Sequence, residues 1–244
     1  MWSEVQILSS RLYTYRMYRI FITNDDGIES PALEALEVAL STIGHITVVA
    51  PDRERSATSH GITLDQPVAY KQVAPNRFAV QGTPADCVIS ALRIFPQPPS
   101  LVISGVNLGS NIGSDILYSG TVAAASEAAL QGIPAVAVSA HSRADYVAAA
   151  AVAARIAEQV LEHGLPPDVI LNVNYPLRWN GEFRLTRQGR RAEEPLTDYE
   201  ALAMGYVSIS PLQINRTAHS HFEHFTGWAD QLVTRNLKLD ESRI

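Results

Sequence analysis

The fold is indicated most clearly by the stretch Arg19-Ile-Phe-Ile-Thr-Asn-Asp-Asp-Gly27. A short apolar run ends in a polar turn, and Ser30-Pro31 follows as an N-cap and a first helical residue. Leucines then recur from residue 33 to residue 40 at the spacing of one helix face, and Gly44 is expected to close this helix. The stretch therefore predicts a buried strand, a polar turn and an amphipathic helix in succession.

The same alternation continues along the chain. Further strands are predicted at Ile46 to Ala50, Leu101 to Ser104, Ala135 to Ser139 and Val169 to Val173, further helices from Thr83-Pro84, Thr121 and Ala144, and a side hairpin between Ile62 and Val80. Apolar runs separated by helices of this length are typical of parallel βαβ units. The sequence predicts an α/β protein, Rossmann-like, with a doubly wound and mostly parallel sheet, helices on both faces and a C-terminal arm.

The pattern divides the chain into three parts. Residues 1–18 are expected to be an N-terminal extension outside the fold, and residues 19–180 the Rossmann-like core. The pattern weakens in residues 181–244, where one strand, Gly205 to Ile209, is predicted. This last part is interpreted as an arm that serves oligomerisation.

Composition excludes some classes of function. The 244 residues carry a formal net charge of −6, which argues against a nucleic-acid groove. The longest apolar run, Val147 to Ala154, is too short to span a bilayer, so no membrane partner is expected. Cys87 is the single cysteine, which favours a reducing compartment, and the cytoplasm is the predicted location.

Three polar loops follow predicted strands, and parallel strands bring such loops to one edge of a sheet. They are Asn24-Asp-Asp-Gly27, Asp52 to His60, and Gly105 to Gly120. The adjacent carboxylates of Asp25 and Asp26 repel each other unless a cation or a shared proton intervenes. The first loop can hold Mg²⁺ or Mn²⁺, which prefer oxygen ligands, or it can be a simple Asp-Gly turn.

The other two loops allow a similar choice. Ser56 or Thr58 in the second loop can supply a neutral oxygen ligand, or the loop is simply solvated. The third loop is long, and its amide side chains can bind a metal or a phosphate. Its end, Ser119-Gly120-Thr121, enters a predicted helix whose N–H groups and dipole favour an anion, although Ser and Thr also cap helices without a ligand. Together the loops indicate a metal and a phosphate.

Longer motifs stand in a characteristic order. They are Phe21-Ile-Thr-Asn-Asp-Asp-Gly-Ile28, Ala50-Pro-Asp-Arg53 with Ser56, Gly82-Thr-Pro-Ala-Asp-Cys87, Ser104-Gly-Val-Asn-Leu-Gly109, Tyr118-Ser-Gly-Thr121, Asn172-Val-Asn-Tyr-Pro176 and Gly205-Tyr-Val-Ser-Ile-Ser-Pro-Leu212. This order resembles the SurE family of stationary-phase survival proteins, which are nucleotidases. The resemblance extends from Arg19 to about Leu212.

The resemblance implies a set of site residues and an activity. One divalent cation, Mg²⁺ or Mn²⁺, would be held by Asp25, Asp26, Ser56 and Asn107, and the phosphate by Asn111, Ser119, Gly120 and Thr121. The implied reaction is hydrolysis of nucleoside 5′- and 3′-monophosphates to nucleoside and phosphate, with exopolyphosphatase side activity. Either Asp25 or Asp26 would accept a proton from the attacking water while the other anchors the cation.

Other functions fit parts of the pattern. A phosphatase that forms an aspartyl-phosphate needs a second Asp two positions after the first, and Asp25-Asp26-Gly27-Ile28 lacks that spacing. A non-catalytic nucleotide-binding or phosphate-binding module has no need of paired carboxylates. A separate zinc site is suggested by the histidine spacing His219-x-His221-x-x-His224. Because no thiolate or carboxylate partner completes such a site, the histidines are interpreted as part of an exposed tail.

Assembly is predicted from the C-terminal part. The resemblance implies a homodimer formed by exchange of C-terminal segments, and in some members further pairing through a hairpin arm. Here only Ala192 to Thr197 occupies the place of the longer family insertion. Phe222, Phe225, Trp228 and Leu232 recur at the spacing of one helix face, which needs a partner surface. A dimer without an arm-linked tetramer is therefore expected.

Overall fold

The computed structural model describes residues 18–189 and 196–217, together with residues 220 and 223. Its strands are β1 (Tyr18–Thr23), β2 (Gly44–Pro51), β3 (Tyr70–Ala74), β4 (Arg77–Val80), β5 (Leu101–Leu108), β6 (Ala135–Ala140), β7 (Val169–Tyr175), β8 (Phe183–Leu185) and β9 (Val207–Gln213). Its α-helices are α1 (Pro31–Leu40), α2 (Pro84–Ile94), α3 (Gly120–Leu130), α4 (Tyr146–His163) and α5 (Asp198–Ala203).

All of these strands belong to one mixed sheet. Its order is β3-β4-β2-β1-β5-β6-β7-β9-β8. The strands from β4 to β7 are parallel, whereas β3 pairs with β4 and β9 pairs with β7 in the antiparallel sense. The predicted side hairpin is thus confirmed as β3 and β4, and it continues the sheet at one edge.

Helices cover both faces of this sheet. On one face α1 packs against α4 over a core that includes Leu33, Leu36 and Ile156. On the other face α2 packs against α3 over Cys87 and Val88. Burying an apolar face of each helix against a sheet that is itself apolar on both sides provides most of the stabilisation of such a layered fold. The predicted doubly wound architecture is confirmed.

The helix starts follow the predicted chemistry. Thr83 caps α2 by accepting from the Asp86 N–H, and Asp86 accepts in return from the Thr83 N–H, which satisfies two N–H groups that the helix cannot pair. Ser30 stands at the N-cap of α1 as predicted, with Pro31 first in the helix, but its side chain makes no capping hydrogen bond. The Ser30 backbone marks this helix start instead, because its carbonyl accepts from the N–H groups of Leu33 and Glu34.

Three boundaries differ from the sequence prediction. Helix α1 ends at Leu40, and Gly44 begins β2, where a side chain would meet the Tyr18 carbonyl oxygen at 2.3 Å. Strand β5 continues past Ser104 to Leu108, because its backbone still pairs with β6. Gly205 has φ +80 and turns the chain after α5, so the last strand begins only at Val207.

The compact unit that contains the sheet extends to Ile214. Strands β8 and β9 and helix α5 therefore belong to the sheet and its cover, beyond the predicted core boundary at residue 180. Several predicted features lie outside the described residues: residues 1–17, the bridge residues 192–195, the three histidines His219, His221 and His224, and the apolar positions Phe222, Phe225, Trp228 and Leu232. Among the residues that the structure describes, no helix combines the length and apolar character that crossing a membrane requires.

Candidate metal and phosphate site

The topology of the sheet provides a natural place for a ligand. The chain runs outward from β1 to β2, then returns and adds β5 on the other side of β1. Strands β1 and β5 thus flank the point where the order reverses, and open α/β sheets bind ligands just beyond the carboxyl ends of strands there. Asp25 and Asp26 follow β1, and Asn107 is the penultimate residue of β5.

The turn after β1 is held by Asn24. Its Oδ1 accepts from the Gly27 N–H at 3.1 Å, and its Nδ2 donates to the Gly27 carbonyl at 3.0 Å. Gly27 has φ +99, and a Cβ there would lie 3.0 Å from the Arg53 backbone. The absence of a side chain at Gly27 lets the loop after β2 pack directly against this turn.

Asp25 is buried and held from helix α3. Its Oδ1 accepts a hydrogen bond of 2.7 Å from the Thr121 hydroxyl, and the Thr121 N–H donates to the same carboxylate. Burial raises the pKa of Asp25, and these hydrogen bonds partly oppose the rise. The Asp25 carbonyl also accepts from the Arg55 N–H at 2.7 Å, which joins the second loop to the site.

Asp26 lies beside it with an unsatisfied oxygen. Desolvation, followed by the charge of Asp25, raises the pKa of Asp26 to about 6, against a lowering by the Leu108 N–H. The Oδ2 atom of Asp26 is buried, and within the described residues it has no hydrogen-bond partner. Such an atom is costly unless a ligand or a proton satisfies it.

The second loop brings a further carboxylate but leaves Ser56 at the surface. Glu54 adds to the upward shift of the pKa of both Asp25 and Asp26. The exposed Ser56 hydroxyl donates to Glu54 Oε1 at 2.8 Å. The ligand role predicted for Ser56 stays a prediction, and the oxygen that donates its proton to Glu54 keeps its lone pairs for a cation.

Asn107 is placed by an irregularity in β5. Ser104 is paired with Ala137 and Asn107 with Ser139, so β5 has one residue more than β6 in this interval. Such a bulge re-aims the side chains that follow it. The Asn107 Nδ2 donates to the Gly109 carbonyl at 2.6 Å, so the atom that Asn107 offers a cation is Oδ1.

The predicted phosphate residues cluster at the start of α3. Ser119 is its N-cap and accepts from the Val122 N–H at 3.1 Å, while Gly120 is the first helical residue. A Cβ on Gly120 would lie 3.2 Å from the Asp25 Cβ and from the Thr58 hydroxyl, so this helix start adjoins the carboxylate pair. Thr121 is fully buried and donates to Asp25, and its predicted phosphate contact stays a prediction.

Asn111 anchors the third loop to the sheet. Its N–H donates to Asn174 Oδ1 at 2.8 Å, and its carbonyl accepts from the side chains of Asn172 and Asn174. Its Nδ2 donates to Ser139 Oγ at 2.8 Å. In this structure the amide therefore secures the loop, and a phosphate contact by Asn111 stays a prediction.

The sequence pattern did not predict this anchoring role of the two β7 asparagines, Asn172 and Asn174. A usable signal was present, since Asn172 and Asn174 are two positions apart in an otherwise apolar strand. Alternation places both on one face of β7, where two buried amides require partners. The sequence offers no sign that the partner is the backbone of Asn111, far along the chain.

The site fits a divalent cation of the hard, oxygen-binding kind. It combines two carboxylates, an unsatisfied oxygen on Asp26 and an upward pKa shift that a positive charge would reverse. No group of three or more His, Cys, Asp or Glu side chains with metal-binding geometry occurs in the described part of the chain. The donors that the site does offer, the carboxylates of Asp25 and Asp26 and the Oδ1 of Asn107, are all oxygens and suit Mg²⁺ or Mn²⁺.

Fold and site together define a class of protein. It is a doubly wound α/β protein with an acidic site, suited to a divalent cation, between β1 and β5, where the strand order reverses. The sequence profile of the family described as "Survival protein SurE" matches residues 20–195. The chain belongs to the SurE family, which confirms the resemblance seen in its motifs.

Relatives and a solved structure agree with this assignment. The protein named 5′-nucleotidase SurE of Pelobacter propionicus is 42% identical over 86% of this chain and 98% of its own length. The protein of the same name from Citrifermentans bemidjiense is 44% identical, with coverages of 86% and 98%. The crystal structure of Sure protein from Aquifex aeolicus has a TM-score of 0.82 and 35% identity, covering 87% of this chain and 100% of that one.

Proposed function

We propose that this protein is a divalent-metal-dependent phosphomonoesterase that hydrolyses nucleoside 5′-monophosphates to nucleoside and phosphate. The name 5′-nucleotidase SurE, borne by relatives 42% and 44% identical to this chain, supports the enzyme class and the 5′ substrate. Hydrolysis of 3′-monophosphates and of short polyphosphate belongs to the same proposal and rests on the motif resemblance.

One observation supports the metal dependence above all others. The buried Oδ2 of Asp26 has no hydrogen-bond donor among the described residues, and it lies beside a second buried carboxylate. Two adjacent buried carboxylates are stabilised together by a shared proton or by added positive charge, and a bound cation lets both stay ionised at neutral pH. When bound, a divalent cation also supplies Lewis acidity, lowering the pKa of water and withdrawing charge from a phosphate oxygen.

The geometry favours different roles for the two carboxylates. Asp25 is immobilised by Thr121 and serves as the rigid anchor of the site. Asp26 keeps an oxygen without a hydrogen-bond donor among the described residues, and this oxygen can accept a proton from a water bound in the site. We assign to Asp26 the acceptance of the proton from the attacking water.

The start of α3 serves the phosphate. The Ser119 hydroxyl accepts from the Val122 N–H, so its own proton can be donated to a phosphate oxygen. Gly120 contributes a backbone N–H at the positive end of the helix dipole. Donors placed where charge accumulates are the main contribution that a protein makes to phosphoryl transfer.

Phosphate release from a panel of substrates tests the proposal. The panel contains 5′- and 3′-nucleotides, tripolyphosphate and p-nitrophenyl phosphate, each with Mg²⁺, with Mn²⁺ or with EDTA. We expect turnover of 5′-nucleotides that requires a metal. Equal turnover in EDTA would contradict the metal dependence, and binding without any release would identify the non-catalytic nucleotide-binding module instead.

A quench experiment addresses the aspartyl-phosphate alternative. Enzyme mixed with labelled nucleotide and denatured in acid should retain no label, because the proposed reaction is a direct displacement by water. Label retained on the wild-type chain and lost in Asp25→Asn would show covalent catalysis and overturn the proposed mechanism.

A cytoplasmic location is proposed from the use of cysteine in this sequence. Cys87 lies on the buried face of α2, and as the single cysteine of the sequence it has no partner for an intrachain disulfide. That usage suits a reducing compartment, and the cytoplasm stays the predicted location. A cell fractionation followed by detection of this chain checks it.

A further inference from the structure

A cleft of about 660 Å³ opens beside the candidate metal and phosphate site. One wall belongs to the loop after β5, including Ser110 and Asp115, and another to His141 and Ser142 after β6. Gly189 and Tyr199 line the far side. Its volume lies in the range of pockets for small organic ligands, of about 300–1,000 Å³.

The cleft is connected to the metal side of the site through the chain. Gly109 also lines the cleft, and its carbonyl accepts a hydrogen bond of 2.6 Å from Asn107 Nδ2. The N–H of the neighbouring Leu108 donates to the Asp26 carboxylate. The carbonyl of Asp115, another lining residue, accepts from the N–H of Tyr118 at 3.0 Å, directly before the N-cap Ser119, so the ester substituent of a phosphate bound at the start of α3 would lie close to this space. Such a substituent needs a pocket of its own if the enzyme is to distinguish it.

A buried carboxylate assembles the far wall. Asp198 is fully buried, and its Oδ2 accepts from the Gly113 N–H at 2.8 Å. Its Oδ1 accepts from the Gly189 N–H at 3.1 Å and from the Tyr199 N–H at 3.0 Å. A single side chain thus ties the loop after β5 to Gly189 and to the first turn of α5. A buried charge that is fully hydrogen-bonded in this way holds a rigid arrangement.

The ring of Tyr199 packs closely against Gly113 in the loop after β5. Gly113 has φ +54, and a Cβ there would lie 2.4 Å from Cε2 and 2.5 Å from the hydroxyl oxygen of Tyr199. The Gly113 carbonyl accepts from Gln188 Nε2 at 2.8 Å. The half-buried ring therefore has a defined position at the cleft instead of being an exposed side chain.

The polar groups of the cleft complement a base and a sugar. His141 Nδ1 accepts from the Arg143 N–H, so the neutral ring carries its proton on Nε2 and can donate. The carboxylate of Asp115 can accept hydrogen bonds from the two adjacent hydroxyls of a ribose, and the hydroxyls of Ser110 and Ser142 can both donate and accept. An aromatic ring beside such groups is the usual means by which proteins bind unpaired bases.

We propose that this cleft binds the nucleoside part of the substrate, with Tyr199 as the residue that contacts the base and Asp198 as the positioning residue beneath it. The proposal rests on the nucleotidase function inferred above. It adds that selectivity for a nucleoside arises in the wall formed by Gly189 and Tyr199, apart from the residues that hold metal and phosphate.

The first test compares two substrates that share the ester but differ in the nucleoside. Tyr199→Ala should raise the KM for AMP by about tenfold or more, since stacking on one aromatic ring contributes about that factor. The kcat/KM for ribose 5-phosphate, which keeps the ester and the sugar but has no base, should stay within about twofold. Tyr199→Phe, which keeps the ring, should behave as the wild type. Tyr70→Ala, a change of an exposed tyrosine on the edge strand β3, is the matched control.

The second test is independent of turnover. Adenosine binding to the metal-free protein, measured by calorimetry in EDTA, should weaken by a similar factor in Tyr199→Ala and be preserved in Tyr199→Phe. An unchanged KM for AMP with unchanged adenosine binding, or an equal loss on both substrates, would overturn the proposal while leaving the nucleotidase function standing. Absence of phosphate release from any substrate by the wild type would reject that function, and the adenosine titration would still decide about the cleft.

Discussion

The hydroxyl of Thr121 donates a 2.7 Å hydrogen bond to Oδ1 of Asp25, across 96 positions of the chain. One partner follows the central strand β1, and the other lies in the first turn of α3. A buried carboxylate at a helix N-terminus is stabilised by the dipole and by the N–H groups there. The contact therefore holds the proposed metal anchor against the proposed phosphate site.

Thr121→Ala should lower kcat by about 10- to 1000-fold, as expected when a donor near developing charge is lost. The loss also frees Asp25 to rotate away from its position. Steady-state kinetics with AMP measure the effect, and Thr121→Ser, which keeps the hydroxyl, should recover most of the rate. A change confined to KM would instead indicate that Thr121 serves ground-state binding.

Asp25→Asn and Asp26→Asn should each abolish turnover without unfolding the protein. The amide keeps the size of the side chain but lacks the charge that holds a divalent cation. Calorimetric titration with Mn²⁺ should show lost or much weaker binding in both variants. Asp65→Asn, at an exposed loop position, is the control and should bind and turn over normally. Wild-type activity in both site variants would disprove the proposed metal site.

Stability of the metal-free protein should depend on pH through Asp26. Its pKa is raised from 3.8 to about 6, so the folded state holds this proton more tightly than the unfolded state does. The corresponding stability is full below about pH 4 and is lost as the pH rises through about 6. Asp26→Asn removes that loss and should gain on the order of 1–3 kcal/mol at about pH 8 and little near pH 4. Urea unfolding in EDTA at both pH values measures it, and an equal gain at both would contradict the assignment.

The position of the loop from Asp52 to His60, which carries Ser56, should depend on a hydrogen bond to Glu127. His60 Nε2 lies 3.0 Å from Glu127 Oε2, and this hydrogen bond lowers the pKa of Glu127. A lowered carboxyl pKa gives stability that is present above the ordinary Glu value of 4.5 and lost as the pH falls through the folded value. Glu127→Gln should cost about 1 kcal/mol at neutral pH and less in acid. It should also weaken Mn²⁺ binding, because the loop loses an anchor, and unchanged stability across this range would refute the role.

The oligomeric state is predicted from sequence alone. Phe222, Phe225, Trp228 and Leu232 have the spacing of an apolar helix face, which we expect to be covered by a second copy of the chain. Light scattering should give the mass of a dimer, since the short Ala192 to Thr197 bridge leaves little chain for a tetramer-forming arm. Phe225→Asp should shift the mass toward the monomer. A wild-type monomer or a stable tetramer would contradict the prediction.

The sequence by itself determined the local elements around the turn from Asn24 to Gly27. Apolar spacing placed the strand and helix on either side of Asn24 to Gly27, and Thr83-Pro84 marked the start of α2. These signals act between residues a few positions apart, so they can be read from a linear pattern. Asp25 and Asp26 were identified for the same reason, because adjacent carboxylates after a buried strand need compensation wherever the strand lies.

Only the tertiary structure decided which distant groups meet. The continuation of β5 through its bulge depends on pairing with β6, so the chain pattern around Gly105 suggested a loop. Asn111 is held by β7, and Asp198 joins Gly113 to Gly189. Such contacts result from the order of strands in the sheet and from the burial of polar groups that then require partners. No local preference encodes them, because each partner lies on a different strand, helix or loop.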